Sequence, residues 1–249
     1  MPKTTDRKAQ GRALTIGVDS LKRGNPRYLG FGRLTVAEAD ATDIADIAKT
    51  TGFTVKTLLG AGATREAVKA EILAAARALR SRDILLLSFS GHGDRTPDTN
   101  HDEEDRQDEA WCLYDDEIID DELYKLWAKF KRGVRILVLS DSCYSGTILI
   151  NLLLNRRRRR KSRRKKVKAS VLLISACQDN EEAFEDGANS IFIGALKRVW
   201  DQGRFRGTYK ALWDRISREM PEGRGRQTPN YSKVGARNRT FERQHAFTI

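Results

Sequence analysis

Five short apolar runs recur along this chain, at Ala13 to Val18, Phe53 to Leu59, Ile84 to Phe89, Val134 to Leu139 and Val171 to Ile174. They limit the folds open to it more than any other feature. Each is rich in β-branched or bulky aliphatic residues and too short for an ordinary helix, so each reads as a strand buried on both faces. The segments between them carry helical periodicity instead. Ala37 to Lys49 places apolar side chains at Ala41, Ile44, Ala45 and Ile47, and Thr64 to Leu79 does so at Val68, Ile72, Leu73 and Ala76. Further helices are expected at Asp121 to Phe130, Ser190 to Trp200 and Thr208 to Met220. Strands alternating with helices imply parallel strands joined by crossovers. The expected architecture is therefore a three-layer α/β/α sandwich around a mainly parallel central sheet.

In such sheets the residues that do chemistry gather beyond the carboxyl ends of the strands, where loops leave a rigid scaffold. Two strand ends stand out. The run ending at Ser90 passes into Gly91-His92-Gly93-Asp94, and the run ending at Ser140 passes into Asp141-Ser142-Cys143-Tyr144-Ser145-Gly146. A histidine and a cysteine thus follow two successive strands. A thiol with an ordinary pKa near 8.5 is only a few per cent thiolate at neutral pH, and a neighbouring imidazole raises that fraction or supplies a proton to a leaving amine. Gly91 and Gly93 lack Cβ atoms, so a substrate backbone can approach closely. The amides of Gly93 and Cys143 are candidates for an oxyanion hole, where each donor is typically worth about 3 kcal/mol.

The tandem of Ser-Phe-Ser-Gly-His-Gly-Asp and Leu-Ser-Asp-Ser-Cys-Tyr-Ser-Gly, each directly after an apolar strand and in that order, resembles the signatures of the caspase-like cysteine peptidases of family C14, clan CD. The likeness is to the metacaspases and their bacterial relatives and covers about residues 12 to 200. It implies the caspase-hemoglobinase fold and a dyad in which Cys143 attacks the scissile carbonyl and His92 protonates the leaving group. It also implies a primary specificity pocket formed by Asp40, Ser90 and Asp141, with Asp179 lining the cleft. Carboxylates at Asp40 and Asp141 suit a guanidinium or ammonium through charge-assisted hydrogen bonds. Cleavage after Arg, and secondarily Lys, is the expectation. Metacaspases of this type often bind calcium through aspartates, and Asp108, Asp120 and Asp121 lie at matching places. The family's further aspartate is Ile150 here, so the carried-over site lacks a ligand. No cofactor is required by the dyad; calcium and a merely solvated acidic loop both stay open.

Charge is concentrated in two blocks. Residues 156–168 hold 11 basic residues (Arg156, Arg157, Arg158, Arg159, Arg160 and Lys161 first, Arg163 and Arg164 after Ser162) and no acid. The rest of the chain has 35 basic against 34 acidic residues, so the net charge of +12 resides almost wholly in this run. From Asp98 to Glu122 there are 13 acids and one base, Arg106. Blocks of this kind are usually solvated loops. One domain is expected over 1–249, with a polar tail at 1–11, an acidic loop at 98–122 and a basic linker at 155–169. An arginine-rich linker just past the nucleophile of an Arg-directed peptidase reads as a processing site, cut by the enzyme itself or by an upstream protease. Alternatively it binds phosphates, though it lacks aromatic residues for stacking on bases, or it pairs with the acidic block and masks the cleft.

Three cysteines argue against a disulfide framework. Cys112 and Cys177 read as structural, and His101 and His245 have no motif around them. No run is long and apolar enough to span a membrane, and the polar MPKTTDRKAQGR lacks the apolar core of a secretory signal. A cytoplasmic enzyme acting on protein substrates is expected, with its oligomeric state open. Nucleic acid is not the favoured partner. A different class also remains, a catalytically idle binding module of the same fold that uses its basic loop.

Overall fold

The computed structural model describes residues 7–97, 107–142, 166–176, 185–186, 188–220 and 229–249. Its centre is a six-stranded sheet in the order β11-β8-β7-β3-β1-β2. The strands are β1 (Gly11–Gly17), β2 (Thr54–Leu59), β3 (Ile84–Ser90), β7 (Arg135–Asp141), β8 (Ser170–Ser175) and β11 (Asn230–Gly235). All neighbours pair parallel except β11, which runs antiparallel to β8 at one edge. A small antiparallel sheet, β4 (Gly93–Pro97), β5 (Gln107–Cys112) and β6 (Glu117–Ile119), stands beyond the end of β3, and a two-residue pair, β9 (Glu185–Asp186) with β10 (Asn189–Ser190), lies further on. The helices are α1 (Ala37–Thr50), α2 (Arg65–Ala78), α3 (Asp120–Trp127), α4 (Ile191–Trp200), α5 (Tyr209–Glu219) and α6 (Arg239–Arg243).

The three layers follow from strand alternation, because successive side chains point to opposite faces. On β3, Leu85, Leu87 and Phe89 join one core with Val68 and Ile72 of α2 and Leu123 and Trp127 of α3. Ile84 and Leu86 join the other, with Ile44 of α1, Phe192 and Leu196 of α4 and Leu212 of α5. The five expected strands and five expected helices all form, within a few residues of their expected bounds, but β2, at the edge of the sheet, is largely exposed where the sequence predicts a buried strand. This is the expected three-layer α/β/α sandwich around a mainly parallel sheet.

The acidic block departs from expectation. From Gln107 onward it is not a loop: it contains β5, β6 and the first turn of α3. Glu109, Glu117, Asp120 and Asp121 are buried. Two causes account for this. Ala110, Trp111, Cys112 and Ile118 are core residues, so the acids between them are carried inward. Asp120, Asp121 and Glu122 occupy the first turn of α3, where the exposed helix amides favour negative charge. The block's acids meet bases from the body of the domain: Arg27 reaches Glu117 at 3.0 Å, and Arg65 and Lys69 reach Glu122 at 2.7 and 3.2 Å. The polar tail likewise ends early, since β1 begins at Gly11 and Arg7 is tied to Asp83.

Candidate active site

Four crossovers bring the important strand ends to one rim. The last register pair between β3 and β7 is Ser90 with Asp141, and the Gly91 amide donates to the Asp141 carbonyl at 3.1 Å. His92 is two residues beyond Ser90, and Cys143 is two residues beyond Asp141. Adjacent strands lie about 4.8 Å apart. Cys143 itself, Asp179 and the linker residues Arg156 to Arg164 lie outside the described residues.

His92 is oriented by the segment between β1 and α1. Its Nε2 lies 2.8 Å from the carbonyl oxygen of Gly32, and its ring meets the Phe31 ring edge-on with centroids 5.1 Å apart. A carbonyl only accepts, so this bond places a proton on Nε2 and leaves Nδ1 as the nitrogen that exchanges a proton. The segment is itself anchored to the small sheet: Tyr28 Oη donates to the Leu113 carbonyl at 2.7 Å, Lys22 N to the Tyr114 carbonyl at 2.7 Å, and Asn25 Nδ2 to the Asp115 carbonyl at 2.9 Å. The sheet in turn is pinned to the strand ends by Trp111, which stacks on Phe89 at 4.8 Å and donates from Nε1 to Ser140 Oγ at 2.9 Å.

The ladder between β4 and β5 also directs the Gly93 amide. Cys112 donates its amide to the His92 carbonyl at 3.0 Å, and the next register pair is Gly93 with Trp111. Bonded and non-bonded pairs alternate along an antiparallel ladder. The Gly93–Trp111 pair is therefore the non-bonded kind, and its N–H points away from β5.

Asp40, Ser90 and Asp141, predicted as pocket residues, are brought together. Asp40 comes from α1, whose N-terminus is fixed by Asp19 Oδ1 accepting the amides of Ala37 and Glu38 at 2.8 and 3.3 Å. Gly17 lets that helix pack close, since a Cβ there would stand 2.5 Å from the Ala37 carbonyl oxygen. Asp40 is fully buried and accepts from Ser90 Oγ at 3.0 Å, Asn189 Nδ2 at 2.8 Å and the Ser190 amide at 3.2 Å. Burial holds its carboxyl above the usual range despite these donors. Asp141 is 3% exposed, its carboxyl oxygens make no hydrogen bond of good geometry among the described residues, and the polar side chains beside it are those of Ser190 and Asp40. Burial first, and the charge of Asp40 second, push it up to about 8.

Asn189 was not foreseen. Its amide bridges Asp40 and Asp43, at 2.8 and 2.7 Å, while Lys197 Nζ donates to Asp43 at 2.7 Å and to Asn189 Oδ1 at 2.9 Å. Asp40 and Asn189 are separated by 149 residues, and nothing local in the sequence marks such a partner. The Gly32 carbonyl escaped notice for a plainer reason: any residue supplies one.

Of the calcium candidates, Asp120 accepts the amide of Asp121 at 2.6 Å and Asp121 lies 3.6 Å from Lys125 Nζ. The side chain of Asp108 lies outside the described residues. Among the described residues no group of three or more His, Cys, Asp or Glu side chains gathers as a metal would require.

The caspase domain model of family C14 matches residues 10–241. The chain belongs to the caspase domain family. Within that family, it is similar to Metacaspase-1B of Aspergillus fumigatus, 43% identical over 90 residues, which is 32% of this chain and 22% of that protein. It is also similar to Metacaspase-1 of Saccharomyces cerevisiae, 46% identical over 72 residues, 27% of this chain and 17% of that protein. The matched stretch thus spans about a fifth of the length of these curated relatives. The crystal structure of protein GSU0716 from Geobacter sulfurreducens superposes with a TM-score of 0.81 at 42% identity, covering 96% of this chain and 99% of that one. Caspase-1 from Spodoptera frugiperda shares the fold at 16% identity, with a TM-score of 0.63 over 92% of this chain and 88% of that one. No helix among the described residues is long and apolar enough to cross a membrane.

Proposed function

We propose that this caspase-family chain is a cysteine endopeptidase cleaving proteins after Arg, and secondarily Lys, with Cys143 as nucleophile and His92 as its acid–base partner. In this reading His92 Nδ1 takes the proton of the Cys143 thiol, and the resulting thiolate adds to the scissile carbonyl while the Gly93 and Cys143 amides receive the developing oxyanion. His92 Nδ1 then gives its proton to the leaving amine. Water, deprotonated by the same nitrogen, releases the acyl group from the thioester. The Gly32 carbonyl keeps the ring oriented throughout. Family membership, the in-register strand ends and the direction of the Gly93 amide support this scheme.

The observation that carries the specificity is Asp141. Burying a carboxylate beside a second acid, Asp40, costs several kcal/mol, which is why the group prefers to stay protonated. A guanidinium entering beside Asp40 and Asp141 would draw Asp141 into its ionised form, whereas an aspartate side chain would add a third carboxyl to the two already there. The Arg preference follows from that difference.

The linker at 156–168 is read as the site of activating cleavage, by the enzyme itself or by another protease. Support comes from the sheet: β7 and β8, which flank the linker, are paired parallel neighbours from Arg135–Ser170 to Ser140–Ser175. A cut between them leaves both pieces bonded into one sheet.

Arg, Lys and Asp reporter peptides, each assayed with and without calcium, test the whole reading. Wild type should hydrolyse Arg peptides best and fragment near the linker, and Cys143→Ala should do neither. Preference for Asp, or activity surviving Cys143→Ala, would overturn it.

A further inference from the structure

The domain's near-neutral body hides a strong polarity. The five strands β1, β3, β7, β8 and β11 meet the pole opposite His92 through the segments 7–10, 80–83, 131–134, 166–169 and 236–239, which are bonded to one another in that spatial order. Ile84 N donates to the Gln10 carbonyl, Arg82 N to Gly133, Ser170 N to Val134 and Ala236 N to Ala169, each at 2.9 Å. Every one of these segments carries two basic residues, among them the exposed Lys8, Arg80, Arg132, Lys168 and Arg237. The acid they contain is Asp83, which is buried and already holds Arg7 and the amides of Gln10 and Arg80 at 2.7 to 2.9 Å. Its charge is spent internally. A groove of about 860 Å³ lined by Arg7, Lys8, Arg12 and Arg82 opens on this pole. The acids of the catalytic rim lie toward the other ends of these strands: Asp141 ends β7, Asp40 sits in the first turn of α1, and Asp94 is in β4.

We propose that this pole is a docking surface for double-stranded nucleic acid, read through its phosphates and without sequence preference. Five adjacent strand ends at about 4.8 Å spacing spread the positive charge over about 19 Å, and a duplex offers one negative charge per about 1.7 Å of its axis. The choice among polyanions rests on what the pole lacks. The large hydrophobic side chains exposed among the described residues are Leu29 and Leu59. Leu59 ends β2, at the catalytic side of the sheet, and Leu29 lies in the segment that orients His92. Neither is at the basic pole, so among the described residues the pole presents no apolar wedge for a bilayer and no exposed ring on which single-stranded bases would stack.

The test is fluorescence anisotropy of a labelled duplex of about 30 base pairs, titrated with the full chain from about 0.05 to 0.3 M NaCl. Wild type should bind with a steep salt dependence. The variant Lys8→Gln/Arg132→Gln/Lys168→Gln/Arg237→Gln should bind at least about tenfold more weakly at ~0.1 M salt and lose about 3 to 4 units of the log–log salt slope. Its thermal unfolding reports whether the fold survives, and the charge-conserving Lys8→Arg/Lys168→Arg variant should bind as wild type does. Three results would overturn the proposal: no salt-sensitive duplex binding, a neutralised variant that binds like wild type, or tighter binding to phosphatidylserine-containing vesicles than to the duplex. None of these readouts depends on peptidase activity.

Discussion

The Gly91 amide donates to the Asp141 carbonyl at 3.1 Å, so the turn that presents His92 hangs from the residue two before Cys143. The same turn is hemmed in from the other side. A Cβ at Gly91 would stand 2.9 Å from Cζ of Phe89, whose ring is buried and stacked on Trp111. Neither ring has room to yield. Gly91→Ala should therefore cost about 1–3 kcal/mol of stability through overpacking and lower kcat/KM on an Arg peptide by about a hundredfold through misplacement of His92. Denaturant melts and peptide kinetics on the same preparation check both; a variant with full activity would show that the turn tolerates displacement.

Asp141 makes the pocket pH-sensitive, and the direction is set by its raised pKa of about 8. Below that value the folded protein holds a proton that the unfolded chain, with an ordinary carboxyl near 3.8, releases. The group's contribution to stability is full below about pH 4 and is lost as pH rises through about 8. Binding of a guanidinium requires the opposite state, the ionised one. KM for an Arg peptide should fall as pH rises from about 6 to 8, with one proton released per ligand bound. Asp141→Asn should abolish that dependence and the Arg preference together, and raise stability at pH 8 by about 1–2 kcal/mol. A KM that stays flat with pH in wild type would remove Asp141 from the binding step.

Trp111 ties the small sheet to the large one through a stacked ring and an indole bond to Ser140. Trp111→Phe retains an aromatic ring but loses the donor and part of the buried area. The expected cost is about 1–3 kcal/mol, while Trp111→Ala should cost about 3–5 kcal/mol. Because β4 carries the Gly93 amide, activity should fall further than the loss of folded protein explains. Comparing active-site titration by a thiol-reactive inhibitor with the turnover rate separates the two effects.

How much of this was legible in the sequence depended on whether a signal was local. Ile84 to Phe89 and Val134 to Leu139 announce strands because each is a dense apolar run, and the motifs after them announce a site. Gly93–Pro97 and Asn230–Gly235 do not, since GDRTP and NYSKVG are polar, edge-type strands whose pairing is decided by partners far along the chain. The acidic block misled for a related reason: Glu117 and Asp120 look solvated until Arg27 and the first turn of α3 are placed beside them. Charge polarity was invisible as well. A count of 35 bases against 34 acids describes a neutral body, and only the strand register sorts Lys8, Arg132 and Arg237 to one pole and Asp40 and Asp141 to the other.

Asn189 offers the last prediction, because it is the neutral member of a tight set of charges. Its amide donates to Asp40 and Asp43 and its carbonyl oxygen accepts from Lys197. Asn189→Asp keeps the shape, removes both donated bonds and places a third carboxylate against two existing ones. The added negative charge should raise the pKa values of Asp40 and Asp141 further, since like charges disfavour each other's ionisation. The fall of KM with rising pH should therefore shift to higher pH, and stability near neutrality should drop by about 1–3 kcal/mol. Asn189→Ala, which removes the donors without adding charge, should destabilise less and shift the profile less. Equal shifts from the two variants would mean that lost hydrogen bonds, rather than added charge, govern the pocket's ionisation.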